Sequence, residues 1–273
     1  MSHPAELLKR LEQRAKKRFG QHFLTSSSIV RQIVAASGVG AESRVLEIGP
    51  GLGVLTEALL AEGADVTAIE LDRDMAGFVR DRLPEVRLIE ADGARVDFSA
   101  VLDGDGWACV SNLPYNAGTR MITRMLDEPK TFSRLVVMVQ REVAERLVAP
   151  AGDRKRGSLS VFTQARATAR ICIRVPPGAF HPPPKVHSAV VDMRLHDEPQ
   201  LGGVAEDVFD TLVRALFVQP RKTSRNNLSA AYGRSAADAA LAATELDGTR
   251  RPATLSLEEI VALARCFEAG ATG

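Results

Sequence analysis

Val45-Leu46-Glu47-Ile48-Gly49-Pro50-Gly51-Leu52-Gly53 runs from an apolar strand-like segment directly into glycines at alternate positions. Val45 to Ile48 reads as a buried strand, and the glycines let the backbone turn tightly and approach a ligand. A helical pattern follows over 54–62, and a second strand-like run, Val66 to Glu70, ends in an acid twenty-one residues after Gly49. An acid at the second strand tip can accept both hydroxyls of a ribose. Strand, glycine turn, helix and acid-tipped strand together describe a nucleotide-binding loop.

Outward from this loop the alternation continues. The pattern predicts a helix over 73–82, strands at 86–90 and 107–111, a helix at 118–127, a strand at 134–139 and a helix at 141–149. Upstream, SSSIVRQIVAASG at 26–38 has serine caps, apolar residues at helical spacing and a terminal glycine, so it reads as a helix. Alternating strands and helices imply a parallel, doubly wound, Rossmann-like α/β sheet. Beyond a basic loop at 150–157 come a helix at 158–167 and strands at 169–175 and 186–195. These two strands flank a proline-rich loop and suit an antiparallel pair at the sheet edge. After the polar, glycine-containing stretch Asp197 to Gly203 only helical patterns appear, at 204–218, 223–231, 235–244 and 256–268. The expected organisation is a basic N-terminal segment 1–24, a Rossmann-like domain 25–198 and a small all-helical domain 203–273.

A chain of 273 residues with 45% hydrophobic and 25% charged residues has the composition of a folded globular protein. Cys109, Cys172 and Cys266 are odd in number and widely separated, which excludes a disulfide framework and fits a reducing cytoplasm. No apolar run approaches the roughly 18 residues that span a bilayer, so no membrane association is expected. His3, His181, His187 and His196 lack metal-ligand spacing, so no metal is expected. The net charge of +1 conceals segregation: Glu57 to Asp105 carries thirteen acids and five bases, whereas 120–170 carries eleven bases and five acids. Residues 1–22 hold six bases and two acids, and 214–225 four bases and no acid. Of 35 basic residues 28 are arginine. That bias fits a biased genome as well as a polyanionic partner, and the segregation tilts it toward the latter.

The glycine loop departs from a dinucleotide site in two ways. Val54 stands where GxGxxG needs its last glycine, and Pro50 removes a backbone donor that a pyrophosphate would use. A nicotinamide enzyme stays open on this loop alone, but a phosphate-free nucleoside with a positive end fits better. S-adenosylmethionine is such a ligand, and Glu47, Glu70 and Asp92 complement its cation and ribose, with Asp92 placed to accept from the adenine amine. The strand at 107–111 ends in Asn112-Leu113-Pro114-Tyr115. An exocyclic base amine is a poor nucleophile, because its lone pair is delocalised into the ring, and its two hydrogens need acceptors. Asn112 offers a side-chain oxygen, Pro114 biases Leu113 toward an extended conformation that can aim its carbonyl, and Tyr115 can stack on the base. A strand-terminating turn with a packing tyrosine explains the same tetrapeptide taken alone.

Six segments occur together in the order of one family. They are Lys17 to Leu24 (KRFGQHFL), Glu47 to Thr56, Asn112 to Tyr115, Val139 to Arg146 (VQREVAER), Pro177 to Val186 (PGAFHPPPKV) and Arg221 to Leu228 (RKTSRNNL). In these the chain resembles the ribosomal RNA adenine dimethyltransferases of the small-subunit, KsgA type over nearly its whole length. The resemblance implies a class I methyltransferase domain with a helical C-terminal domain that binds RNA or the subunit. It also implies S-adenosylmethionine-dependent dimethylation of N6 on two adjacent adenosines in the 3′-terminal hairpin loop of 16S rRNA, late in small-subunit assembly, by a cytoplasmic monomer. Carried over by residue, His22, Leu24, Glu47, Gly49, Gly51, Glu70, Asp92 and Asn112 are expected at the cofactor. Asn112, Leu113, Pro114, Tyr115 and Phe180 are expected at the target base, with Phe180 stacking opposite Tyr115, and Arg221, Lys222 and Arg225 on RNA. His22 stands where the family usually has asparagine, and Pro220 where a basic residue is common.

Overall fold

A computed structural model describes residues 22–271, with side chains through Ala269; most of the basic N-terminal segment therefore lies outside the described residues. The chain divides into two compact units, one formed by residues up to 144 with 169–197, the other by 145–168 with 198 onward.

The first unit opens with β1 (Phe23–Leu24) and α1 (Ser27–Ser37). Helix α1 starts where the Ser26 side chain accepts from the Ile29 amide and stops at Gly38, whose φ of 63° only glycine adopts without strain. Ile29, Val30, Ile33 and Val34 form its buried stripe. There follow β2 (Arg44–Ile48), α2 (Val54–Ala61), β3 (Asp65–Glu70), α3 (Arg73–Arg82), β4 (Arg87–Glu90), a single turn α4 (Phe98–Val101), β5 (Trp107–Asn112), α5 (Gly118–Leu126) and β6 (Phe132–Gln140). The helix α6 (Arg141–Leu147) leads into α7 (Ser158–Arg166), and the chain returns through β7 (Ala167–Val175), β8 (Phe180–His181) and β9 (Ser188–Leu195).

The main sheet has the order β4-β3-β2-β5-β6-β9-β7. Its first five strands are parallel and β9 runs antiparallel to β6, so the pair expected at 169–175 and 186–195 does close one edge. Strand order reverses between β2 and β5, and there the strands separate: Val45 and Leu46 pair with Ala108 and Cys109, but Glu47 and Ile48 pair only with β3. The Ile48 amide is satisfied instead by the Ser111 hydroxyl at 2.8 Å. Ligands of doubly wound sheets bind at this kind of switch point.

A second, two-stranded sheet was not legible in the sequence. Strand β1 pairs antiparallel with β8, Phe23 opposite His181 and Leu24 opposite Phe180, and joins two segments too short to show a period.

In the second unit α7 packs with α8 (Glu206–Leu216), which also meets α9 (Ser224–Tyr232) and α11 (Leu257–Ala271); α10 (Arg234–Ala243) packs on α9 and α11. Phe209, Leu212, Leu216, Leu228, Ile260 and Leu263 are buried in its core, to which α7 contributes Val161 and Ala165. A single boundary near 198–203 therefore differs from the observed division. Residues 145–168 fold with the C-terminal helices because α7 spends its apolar face there, and buried Arg166 reaches Glu206 at 3.2 Å and Asp210 at 3.1 Å.

The edge of the first unit is tied by ions. Asp192 on β9 is 2% exposed and accepts from Arg134 Nε at 2.8 Å and from Arg170 Nη2 at 2.9 Å. Arg134 also caps the C-terminal carbonyls of α1 at Ser37 (2.6 Å) and Ala36 (2.8 Å). Burial alone would raise the Asp192 carboxyl, but the hydrogen bonds and charges of the two arginines outweigh it and hold it below its ordinary value. This contribution is complete above the ordinary carboxylate range and fades as pH falls through the lowered value. Asp192→Asn should therefore cost roughly 3 kcal/mol at neutral pH in urea unfolding and show a shallower loss of stability between about pH 5 and pH 2 than the wild type.

Candidate active site

The separation of β2 from β5 opens a cavity of about 620 Å³ at the C-terminal ends of the strands. One wall is the glycine loop, in which Gly49, Gly51 and Gly53 all have positive φ (71°, 54° and 69°), a conformation a side chain would strain. The close approach at Gly93 has another origin. A Cβ there would lie 2.6 Å from Ile48 Cγ2, so any larger residue would force Ile48 to shift.

Three carboxylates expected at the cofactor line this cavity. Glu47 is 2% exposed, and its Oε2 accepts from Thr56 Oγ1 at 2.6 Å. Burial pushes its pKa up to about 8; the Thr56 bond works against that shift and the charge of Glu70 adds to it. Glu70 accepts from the amides of Asp72 (3.0 Å) and Gly51 (3.4 Å), which couples the second strand tip to the glycine loop. Burial also raises its pKa, against those amide bonds. Asp92 accepts from the Ala94 amide at 2.9 Å and lies 3.5 Å from Arg95 Nε.

Opposite stands the tetrapeptide at the end of β5. Among the described residues Asn112 Oδ1 is buried with no hydrogen-bond partner, although buried polar atoms are normally satisfied. The Leu113 amide donates to the Met138 carbonyl at 3.1 Å and its side chain is buried, and among the described residues no amide bonds its own carbonyl. Tyr115 is held by a 2.7 Å hydrogen bond between its hydroxyl and Ser188 Oγ. His22 Nδ1 donates to the Pro182 carbonyl at 2.7 Å, and its ring centroid lies 5.9 Å from that of Tyr115. The β1–β8 pairing thus carries His22 and Leu24 to the cavity across a large sequence separation.

All of the expected cofactor positions, and Asn112 to Tyr115, line one cavity. Phe180 does not. It is 4% exposed and packs in the core with Leu24, Ile173 and Val175, because the β8 register turns its side chain inward. In the second unit Arg221 and Lys222 are exposed, and Arg225 Nε sits 3.1 Å from Asp238 in a partly exposed ion pair. Sequence reasoning passed over Leu71, which lines the cavity although 65% exposed. An apolar residue directly after the acidic strand tip was its only signal. Thr56, Ser111 and Ser188 were missed as well, since their roles depend on strands brought together by the sheet.

The site matches a nucleoside that carries a cation. Glu70 offers lone pairs beyond its two amide bonds, the apolar Leu71 adjoins it, and Glu47 supplies a buried carboxylate with a single side-chain partner. The model of the family described as ribosomal RNA adenine dimethylase matches residues 12–268. This chain belongs to that family. Relatives called ribosomal RNA small subunit methyltransferase A include one from Syntrophotalea carbinolica, 42% identical over 94% of this chain and 98% of its own. Another, from Anaeromyxobacter sp. (strain K), is 43% identical over 96% of each chain. The 23S rRNA methyltransferase ErmE shares the fold with a TM-score of 0.69 at 26% identity, covering 89% of this chain and 98% of its own. A dimethyladenosine transferase from Plasmodium falciparum superposes with a TM-score of 0.80 at 24% identity, over 92% of this chain and 98% of its own.

The protein is thus an S-adenosylmethionine-dependent ribosomal RNA adenine dimethyltransferase with a class I methyltransferase fold. Glu70 would hold the ribose, Asp92 the adenine amine, and Glu47 with the glycine loop the positively charged end. Between its ordinary value of 4.5 and about 8, Glu47 keeps in the folded protein a proton that the unfolded chain has released, so stability falls as pH rises. Glu47→Gln should flatten the decline in the melting temperature of the unliganded enzyme between about pH 5 and pH 8. Wild-type affinity for S-adenosylmethionine should rise across the upper part of that range, as the carboxylate ionises, whereas the variant's affinity should be weaker and pH-independent by calorimetry.

Proposed function

We propose that this enzyme dimethylates the N6 amino groups of two adjacent adenosines in the 3′-terminal hairpin loop of 16S rRNA, late in small-subunit assembly. It would act as a cytoplasmic monomer. The observation that carries the chemistry is the unpartnered, buried Asn112 Oδ1 beside the Leu113 carbonyl. An adenine N6 amine has two hydrogens, and two acceptors aimed at them draw its lone pair out of conjugation. The target base must leave its stack to reach them. Tyr115, fixed through Ser188, supplies a face for it to rest on. When bound, S-adenosylmethionine supplies the methyl group from its sulfonium. The chain's own residues position the acceptor nitrogen and exclude water, and positioning alone contributes a large part of such a rate. Once methylated, the nitrogen is acidic enough to release its proton without a dedicated base. Phe180 is buried in the core, so base capture in this reading rests on Tyr115.

Identity to relatives called small subunit methyltransferases favours the small-subunit substrate. No helix among the described residues is long and apolar enough to cross a membrane. Exposed Arg221 and Lys222, which follow exposed Pro220, would meet the RNA backbone in this reading. Incubating the enzyme with undermethylated small subunits and labelled S-adenosylmethionine, then mapping the modified nucleotides, tests the reading directly. Label outside two adjacent adenosines of that loop would overturn it. Asn112→Ala should lower turnover at least tenfold, through loss of a hydrogen bond to the reacting amine, with subunit binding retained in a sedimentation assay. Changing Arg221 and Lys222 together to alanine should leave cofactor affinity unaltered and reduce the slope of log affinity against log salt by about 2.

A further inference from the structure

The catalytic cavity is acidic: Glu47, Glu70, Asp72 and Asp92 all line it. A nucleotide that enters it as part of a polyanionic strand brings its phosphates toward the carboxylates of Asp72 and Asp92, and toward Glu47 and Glu70 where these are ionised, and like charges in a partly desolvated space repel. Cations at the mouth have to offset this. Among the described residues two arginines line the cavity, Arg95 and Arg120. Arg95 faces Asp92 at 3.5 Å. Arg120 is exposed, and among the described residues no carboxylate lies within ion-pair distance of it. It sits in the first turn of α5, which has no acidic residue, where the helix dipole disfavours a cation that lacks an anionic partner.

A second cation approaches from the proline-rich segment. Residues 182–188 are pinned at both ends to the site, the Pro182 carbonyl by His22 Nδ1 at 2.7 Å and Ser188 Oγ by the Tyr115 hydroxyl at 2.7 Å. Between these anchors Lys185, Val186 and His187 are exposed, and Lys185 has no ion pair among the described residues. Arg120 lines the same cavity as Tyr115, and Lys185 lies on a separate element, three residues before the Ser188 that bonds Tyr115. The Ala117 and Gly118 amides, bonded to the Pro114 carbonyl at 3.1 and 2.8 Å, hold the start of α5 against that loop.

We propose that Arg120 and Lys185 are positioning residues that hold the phosphates flanking the adenosine captured at Tyr115, so that the enzyme selects a nucleotide within an RNA strand. The inference rests on the adenine-methylating role of the cavity. An anion at Arg120 could equally be the carboxylate of the cofactor's amino-acid end, and the test separates the two sources.

The test measures steady-state methylation of undermethylated small subunits by the full-length enzyme, with Arg120→Gln, Lys185→Gln and the double variant, at several salt concentrations. Affinity for S-adenosylmethionine is measured by calorimetry in parallel. Each single variant should raise KM for the subunit about three- to tenfold at low salt, leave kcat within about twofold, and lower the log-log salt slope by about 1, the double by about 2. Arg120→Lys should restore most of the effect. Cofactor affinity should be unchanged in all variants, which also reports that they fold. A loss of cofactor affinity in Arg120→Gln with an unchanged salt slope would assign Arg120 to the cofactor carboxylate and overturn the proposal. An unchanged KM and slope in the double variant would overturn it too. Failure of the wild type to methylate adenine would instead refute the functional reading itself.

Discussion

The divergence of β2 and β5 is the constraint on which the site depends. Two parallel strands that pair at Val45 and Leu46 and then separate leave backbone groups needing partners, and the Ser111 hydroxyl satisfies the Ile48 amide across the gap. The opening lies where the connections leave the sheet in opposite directions, so one lip carries the glycine loop and the other carries Asn112 to Tyr115. In the proposed reaction the first would face the cofactor and the second the acceptor base, with the methyl group passing between them.

Electrostatics divide the cavity in the same sense. Glu47 is buried deeply enough to be pushed up to about 8, and Glu70 shifts in the same direction, so the unliganded pocket stores unfavourable carboxylate burial that a cationic ligand would relieve. Toward the other wall the polar atoms are neutral acceptors, Asn112 Oδ1 and the Leu113 carbonyl, suited to amine hydrogens rather than to a full charge. The buried acceptor without a partner is a local cost in the free protein. In the proposed reaction the arriving base would supply that missing hydrogen bond, which favours the reactive geometry over the empty one.

The two-stranded sheet of β1 and β8 closes this arrangement from outside the main sheet. It brings His22 and Leu24 to the cavity and, through Pro182, ties the proline-rich segment to the same place. The pairing also turns Phe180 into the core beside Leu24, so the aromatic residue carried over from the family resemblance has a packing role in this conformation.

Much of the architecture was legible in the residues alone. The period-2 and period-3.6 patterns of the first unit, the serine before α1 with the glycine after it, and the acid-tipped strand after the glycine loop are local signals, and physics confined to a few neighbours generates them. The lining of the cavity was legible for the same reason, since Glu47, Glu70, Asp92 and Asn112 each stand at or within two residues of the end of a strand. Pairing between distant segments was not. That α7 folds with the C-terminal helices, that Arg225 is engaged by Asp238, that Phe180 points inward, and that Ser111 and Ser188 serve Ile48 and Tyr115 all depend on which surfaces meet after the chain has collapsed. A side chain's type announces what it can bond to, but burial and long-range register decide which partner it finds, and these are properties of the packed tertiary structure.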